Sequence, residues 1–345
     1  MPPKSRARHS AEQCILVLQG GGALGAYQGG VYETLEGAGL APTWLAGISI
    51  GAINAALIAG NAPERRVERL REFWEGVSTL PFGIEAPQLP EPLKRTLERM
   101  VDFDRINSGG VRLSVGAVNV RSGNFLYFDS RERAIDVRHI MASAALPPGF
   151  PPIEIDGEFY WDGGLVSNTP LQHVLDQPGS GRRLVFQVDL FPARGEMPST
   201  IGDAAEREKD IRYSSRTRLN TTVELKRQAM LQAAQRIVAK LPPQLRNDPD
   251  AKALARIPAD SAVTVVHLIY RTKHYESQSK DYEFSRASML EHWSAGVADT
   301  TQTLADPRWQ HRKPPASGVE IFDLTAERPL AATVTPEPLP GAKVA

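Results

Sequence analysis

The chain has 345 residues, long enough for one large domain or a domain with an appendage. Its 40 basic residues balance its 40 acidic ones, which excludes the basic excess expected of a nucleic-acid binder. Its single cysteine, Cys14, excludes an internal disulfide; there is no cysteine pair or H-E-x-x-H pattern to hold a metal, and no apolar run approaches the roughly 18 residues of a membrane-spanning helix.

The first segment, Met1–Gln13, is charged and has no apolar centre, so it reads as a disordered tail and not as a secretory signal. Cys14–Leu18 is an unbroken apolar run, the pattern of a strand buried on both faces. Gln19-Gly20-Gly21-Gly22-Ala23-Leu24-Gly25 follows, and then a helical pattern over Ala26–Leu35. Three glycines between strand and helix leave backbone N–H groups free to face an anion, which in a serine hydrolase is the oxyanion of the tetrahedral intermediate. Gly20 to Gly25 also spell G-x-G-x-x-G. A dinucleotide site needs a carboxylate at the end of the next strand, and that strand ends in Trp44-Leu45-Ala46-Gly47 without one. A P-loop fails because no Lys-Ser or Lys-Thr pair follows the glycines. No cofactor is expected.

Thr43–Ala46 is a short strand and Ala52–Ala59 a helix, with Gly47-Ile48-Ser49-Ile50-Gly51 between them. Strand, G-x-S-x-G turn and helix is the context of a nucleophile elbow, where Gly47 and Gly51 relieve crowding and Ser49 stands at the tip. Glu64–Ser78 continues as a helix with Val67, Leu70, Phe73, Trp74 and Val77 on one face. Residues 80–110 are broken by prolines and form a lid candidate. Leu113–Val120 and Asn124–Phe128 read as paired strands, and Ile153–Tyr160 as a hairpin turning at Asp156-Gly157. Phe159-Tyr160-Trp161 then leads into Asp162-Gly163-Gly164, and Leu184–Leu190 is one more buried strand. Alternating strands and helices predict an α/β fold, a mostly parallel sheet sandwiched by helices.

Taken together, the glycine loop, the elbow and Asp162-Gly163-Gly164, in that order, resemble the patatin-like phospholipases over about residues 14–190. Ala142–Pro152 and Asn168-Thr169-Pro170 resemble the segments on either side of that Asp. The resemblance implies a three-layer α/β architecture and a Ser-Asp dyad. Ser49 would be the nucleophile and Asp162 the dyad acid, with oxyanion donors at Gly20, Gly21, Gly22 and Ile50 and motif glycines at Gly25, Gly47, Gly51, Gly163 and Gly164. Leu24 departs from the family, many of whose members carry Arg or Lys there. A dyad needs an Asp162 of raised basicity, supplied by burial beside Phe159, Tyr160 and Trp161. The competing arrangement is a triad of Ser49, Asp162 and His173 or His267. The expected activity is cleavage of lipid acyl esters, with short-chain or hydroxyacyl esters and thioesters, or a non-catalytic lipid-binding regulator, as the other readings. The partners implied are a lipid or other ester and a peripheral membrane contact, in a soluble or membrane-associated cytoplasmic protein; an oligomer stays open.

The division expected is a catalytic domain over 14–195, a mainly helical C-terminal extension over 196–310, similar to one in some bacterial patatin-like proteins, and a disordered tail over 311–345. Ala204–Lys240 reads as a long helical stretch, broken or bent around Tyr213–Thr222, whose second half carries an apolar face packed on the core, with a surface, membrane-facing or oligomer-contact helix as the other reading; Val263–Tyr270 reads as a strand and Ala287–Leu304 as a helix.

Overall fold

A computed structural model describes residues 12–78, 90–177, 181–215, 217–256, 262–271, 280–315 and 318–323. In chain order β1 (Gln13–Leu18) leads through the glycine loop to α1 (Ala26–Gly37), and β2 (Trp44–Gly47) through the elbow to α2 (Ile50–Ala59). Then come α3 (Arg66–Val77), α4 (Pro90–Met100), α5 (Phe103–Asn107), β3 (Arg112–Asn119), β4 (Phe125–Asp129) and α6 (Val137–Ala144). The hairpin β5 (Ile153–Ile155) and β6 (Glu158–Asp162) is followed by α7 (Leu171–Asp176) and β7 (Arg182–Asp189). The remainder is α8 (Ile201–Tyr213), α9 (Thr217–Ala239), α10 (Pro249–Arg256), β8 (Ala262–Ile269), α11 (Arg286–Ala305), α12 (Pro307–Gln310) and β9 (Gly318–Phe322). Part of the expected lid, residues 80–89, lies outside the described residues.

The nine strands among the described residues join one mixed sheet. Its centre is parallel, with β3, β2, β1, β7, β8 and β9 side by side, and β4, β5 and β6 add antiparallel pairs at one end. The apolar run of β1 explains its central place. Cys14, Leu16 and Leu18 enter one core, shared with α1, α2, α3 and α11, while Ile15 and Val17 enter another, shared with α7. Successive side chains on a strand alternate faces, so a strand with both faces covered must be apolar throughout. The expected three-layer α/β architecture is therefore present, with a largely helical C-terminal region.

The pairing of β3 brings the two key segments together. β4 occupies one edge of β3, opposite Ser114 to Val118. The other edge is shared: Gly47 of β2 sits opposite Val115, and Asp162 of β6 opposite Ala117. At about 3.3 Å per residue, the end of β6 lies within about 7 Å of the end of β2 along the same edge. The elbow and the Asp-Gly-Gly turn leave the sheet at one place.

Three expectations change. Gly318–Phe322, assigned to a disordered tail, is a strand paired with β8 from Ala262↔Gly318 to Val266↔Phe322. The Val263 and Val319 side chains are buried in the second core, which the polar neighbours of that short segment concealed. The stretch over 204–240 breaks where expected, between α8 and α9, but α9 leaves Met230 and Ile237 exposed, so its apolar stripe is only partly buried. On β6, alternation puts Tyr160 on the side of Asp162 and leaves Phe159 40% exposed, so Phe159 does not help bury the carboxyl.

Candidate active site

Ser49 sits between β2 and α2 with φ 55 and ψ −125, a conformation that side-chain-bearing residues rarely adopt. The chain is crowded there: a Cβ on Gly51 would overlap the Leu18 carbonyl of β1. The backbone N–H of Ser49 donates to Ser143 Oγ at the end of α6 (3.1 Å). The sequence placed Ser143 within the Ala142–Pro152 segment but gave its side chain no role.

Asp162 ends β6 and is 1% exposed. Its Oδ1 accepts the N–H of Gly164 (2.7 Å), while Oδ2 is buried without a hydrogen-bond partner among the described residues. Burial pushes the carboxyl up to about 7, and the nearby Ser49 hydroxyl and the Gly164 amide pull it part of the way back. Ser49 is thus close enough to act on Asp162 electrostatically without an aligned hydrogen bond, a looseness common in unliganded catalytic pairs.

Ser49, Ile50, Asp162, Gly164 and the three loop glycines line one cavity of about 710 Å³, within the usual range of about 300–1,000 Å³ for small-molecule sites. Ile53, Phe73, Leu146 and Phe191 make its walls largely apolar, and Pro92 and Leu93 of α4 contribute from the lid candidate. Tyr213, Asp281, Tyr282 and Phe284 come from the C-terminal region, to which the sequence assigned no chemistry. Of the four amides expected to face an oxyanion, that of Gly20 is already donated to the Asn168 carbonyl (3.2 Å). Gly21, Gly22 and Ile50 also line the cavity. Gly25, Gly47, Gly51 and Gly163 lie behind the lining and serve close packing.

No histidine is among the described residues that line the cavity. His173 lies on α7, stacked 3.9 Å from the Tyr127 ring and 3.4 Å from Asp129. His267 is buried on β8, opposite Gln187 of β7. Leu24 is fully buried in the first core, so the position where family members carry a cation points away from the cavity.

Sequence reasoning also missed the polar frame behind the glycine loop. Gln19 Oε1 accepts the amides of Leu190 (2.5 Å) and Phe191 (2.9 Å), and its Nε2 donates to Thr169 Oγ1 (2.8 Å) and the Tyr213 carbonyl (3.0 Å). Gln28 donates to the Gln19 carbonyl (2.7 Å), Asn54 to Gln28 Oε1 (2.9 Å) and the Gly25 carbonyl (3.0 Å), and Trp74 to Asn54 Oδ1 (3.0 Å). These satisfied buried amides fix the loop from beneath. The only sequence signal was a glutamine straight after an apolar strand.

A serine held in a strained strand-to-helix elbow, facing a glycine loop and a buried carboxyl at the edge of a helix-covered sheet, belongs to the α/β proteins with a nucleophile-elbow layout. Comparison with known proteins narrows the class. A family model described as patatin-like phospholipase matches residues 16–175, and a second, described as patatin phospholipase, matches residues 211–316. The chain belongs to the patatin-like phospholipase family. Lysophospholipase nte1 of Aspergillus terreus is 27% identical over 197 residues, which are 55% of this chain and 12% of that protein. Lysophospholipase NTE1 of Saccharomyces cerevisiae is 26% identical over 207 residues, 57% of this chain and 12% of that one. The match thus spans about an eighth of these much longer relatives. VipD from Legionella pneumophila overlays 85% of this chain and 66% of its own at a TM-score of 0.41 and 14% identity, too distant to bear on the chemistry.

Proposed function

We propose that this chain is a serine hydrolase of lipid acyl esters working through Ser49 and Asp162. The observation that carries the reading is the meeting of Ser49, Gly21, Gly22, Ile50 and Asp162, whose Oδ2 has no hydrogen-bond partner among the described residues, in one largely apolar cavity. A serine hydroxyl needs a base near neutral pH, and a carboxyl raised to about 7 by burial is basic enough to serve. Ser49 Oγ attacks the acyl carbonyl carbon and its proton passes to Asp162 Oδ2. The carbonyl oxygen becomes an oxyanion that accepts the Gly21, Gly22 and Ile50 N–H groups. The bond to the alcohol oxygen breaks, and Asp162 returns the proton to that leaving group. Water then attacks the acyl-Ser49 ester with Asp162 again accepting a proton, which frees the acid and restores the serine.

Lipid as the substrate class is supported by the family, by the lysophospholipase names of the relatives and by the apolar cavity walls. Tyr282 both lines the cavity and is 53% exposed, so that wall reaches the surface, which fits peripheral contact with a lipid layer. Among the described residues no helix is long and apolar enough to cross a membrane.

The test is an ester panel of graded acyl length, with and without phospholipid vesicles, run on the wild type and on Ser49→Ala. Wild-type turnover should rise with acyl length, and Ser49→Ala should show none. More than a trace of turnover in pure, folded Ser49→Ala would sink the reading.

A further inference from the structure

The proposed chemistry leaves α8 and the segment Lys280–Tyr282 without a task, yet both press on the glycine loop. α8 carries Glu206, Lys209, Asp210 and Tyr213 at spacings that share one helical face. Lys280, whose side chain is 1% exposed, places its ammonium 2.8 Å from Asp210 Oδ1 and 3.1 Å from Glu206 Oε1. Lys209 pairs with the Asp281 carboxylate and lies over the Tyr282 ring, 4.7 Å from its centroid. Three ion pairs on consecutive turns therefore hold residues 280–281 against α8. A buried ammonium is stable only when paired in this way.

Both ends of this assembly reach the site. The last residue of α8, Tyr213, presents its carbonyl to Gln19 Nε2 (3.0 Å) and Asn168 Nδ2 (3.1 Å). Gln19 opens the glycine loop, and Asn168, which also donates to the Gly20 carbonyl (3.0 Å), follows the Asp162 turn. At the other end the Asp281 carbonyl lies directly on Gly22: a Cβ there would overlap it, and Gly22 has φ +53. The loop is held between a helix terminus on one side and a clamped backbone on the other.

We infer that α8 and residues 280–282 form a clamp that sets the position of the Gly21 and Gly22 amides, with Lys280 as its positioning residue. The inference rests on the hydrolase reading, in which those amides receive the oxyanion. Lys280 touches no substrate and acts through the Asp281 backbone. Loss of its charge would let segment 280–282 relax and Gly22 move with it. Shifts of about 1 Å in such donors lower catalysis by up to about a hundredfold while changing ground-state binding less.

The experiment compares full-length wild type, Ser49→Ala, Lys280→Met, Lys280→Arg and Lys209→Met, each checked for folding by circular dichroism. Steady-state hydrolysis of a soluble ester and the rate of Ser49 labelling by a fluorophosphonate are measured. In Lys280→Met, kcat and labelling should fall together by about tenfold to a hundredfold, with KM changed by less than about threefold. The acid limb of the pH profile should not move, because Asp162 is untouched. Lys280→Arg should recover part of the loss, and Lys209→Met should show a smaller one, about threefold to tenfold. If Lys280→Met does not fold, Lys209→Met decides, since that pair is partly exposed. A folded Lys280→Met, or failing that a folded Lys209→Met, with kcat within about twofold of wild type overturns the clamp while a dead Ser49→Ala leaves the hydrolase reading standing. An active Ser49→Ala removes both.

Discussion

Asp162 and Asp129 are both 1% exposed, and both pair with β3, opposite Ala117 and Ser114 respectively. Three positions on one strand separate two carboxyls of opposite character. Asp162 has one amide on Oδ1 and nothing on Oδ2 among the described residues, and burial drives it up to about 7. Burial also pushes on Asp129, but His173, Arg112, Ser114 and the Arg131 amide outweigh it and hold that carboxyl well below the usual range. Arg112 reaches it at 2.7 Å and lies 3.9 Å over the Trp44 ring, and Ser114 Oγ donates at 2.6 Å. Depth alone does not make a carboxylate reactive; the number of donors aimed at it decides.

The sharpest way to break this comparison is to neutralise each carboxyl in turn. Asp162→Asn should lower turnover by about a hundredfold to ten-thousandfold, the range of general-base effects, while the protein stays folded. Asp129→Asn should do the reverse. It strands the buried Arg112 and should cost about 3 kcal/mol in urea unfolding, with turnover per folded molecule within about threefold of wild type. A folded Asp129→Asn as inactive as Asp162→Asn would show that the two sites are not separate.

Stability against pH gives the next contrast. Asp162 takes up its proton more readily when folded (about 7 against 3.8), so the folded state binds the extra proton. Its contribution is complete below about 3.8 and is lost as pH rises towards about 7, by up to about 4 kcal/mol. Asp129 has the opposite sign: its contribution is complete above 3.8 and is lost as pH falls through its depressed folded value. Urea unfolding at pH 5 and pH 8 should therefore find Asp162→Asn gaining on wild type at the higher pH; an equal difference at both pH values would contradict a raised Asp162. The same titration should place the acid limb of kcat/KM near about 7.

The smallest expected effects concern the histidines. His173→Ala removes a 3.4 Å contact to Asp129 and the stacking on Tyr127, and should cost about 1–2 kcal/mol of stability. It and His267→Ala should keep turnover within about tenfold of wild type. Either one, folded yet as dead as Ser49→Ala, would replace the dyad with a triad.

The legible parts of this molecule were those where local sterics dictate sequence. The elbow needs glycine at 47 and 51 because neighbouring backbone fills the space of a side chain, and an apolar run such as Cys14–Leu18 has few places to go but the middle of a sheet. Asp162 was legible by its two glycines, yet its elevated basicity comes from what does not touch Oδ2, which no spacing encodes. Gln19, Gln28 and Asn54 looked like ordinary polar residues because their partners are up to 194 positions away. Tyr213, Asp281, Tyr282 and Phe284 were illegible as cavity walls for the same reason. β9 was hidden by a Pro- and Ala-rich setting that reads as tail.

The strand order bears on how the protein is made. A ribosome delivers the chain from its N-terminus at about 5–20 residues per second. β1 emerges first but has β7 for one of its two neighbours, β7 in turn waits for β8, and β8 for β9. The segment carrying Ser49 and Asp162 is therefore complete about 6–24 seconds before Asp281, Tyr282 and Phe284 arrive to close the cavity. During that interval an unpaired sheet edge is open to association with other chains. Stalled nascent chains ending near residue 200 should accordingly react poorly with a serine-directed probe and be bound by chaperones, and those extended past residue 323 should not.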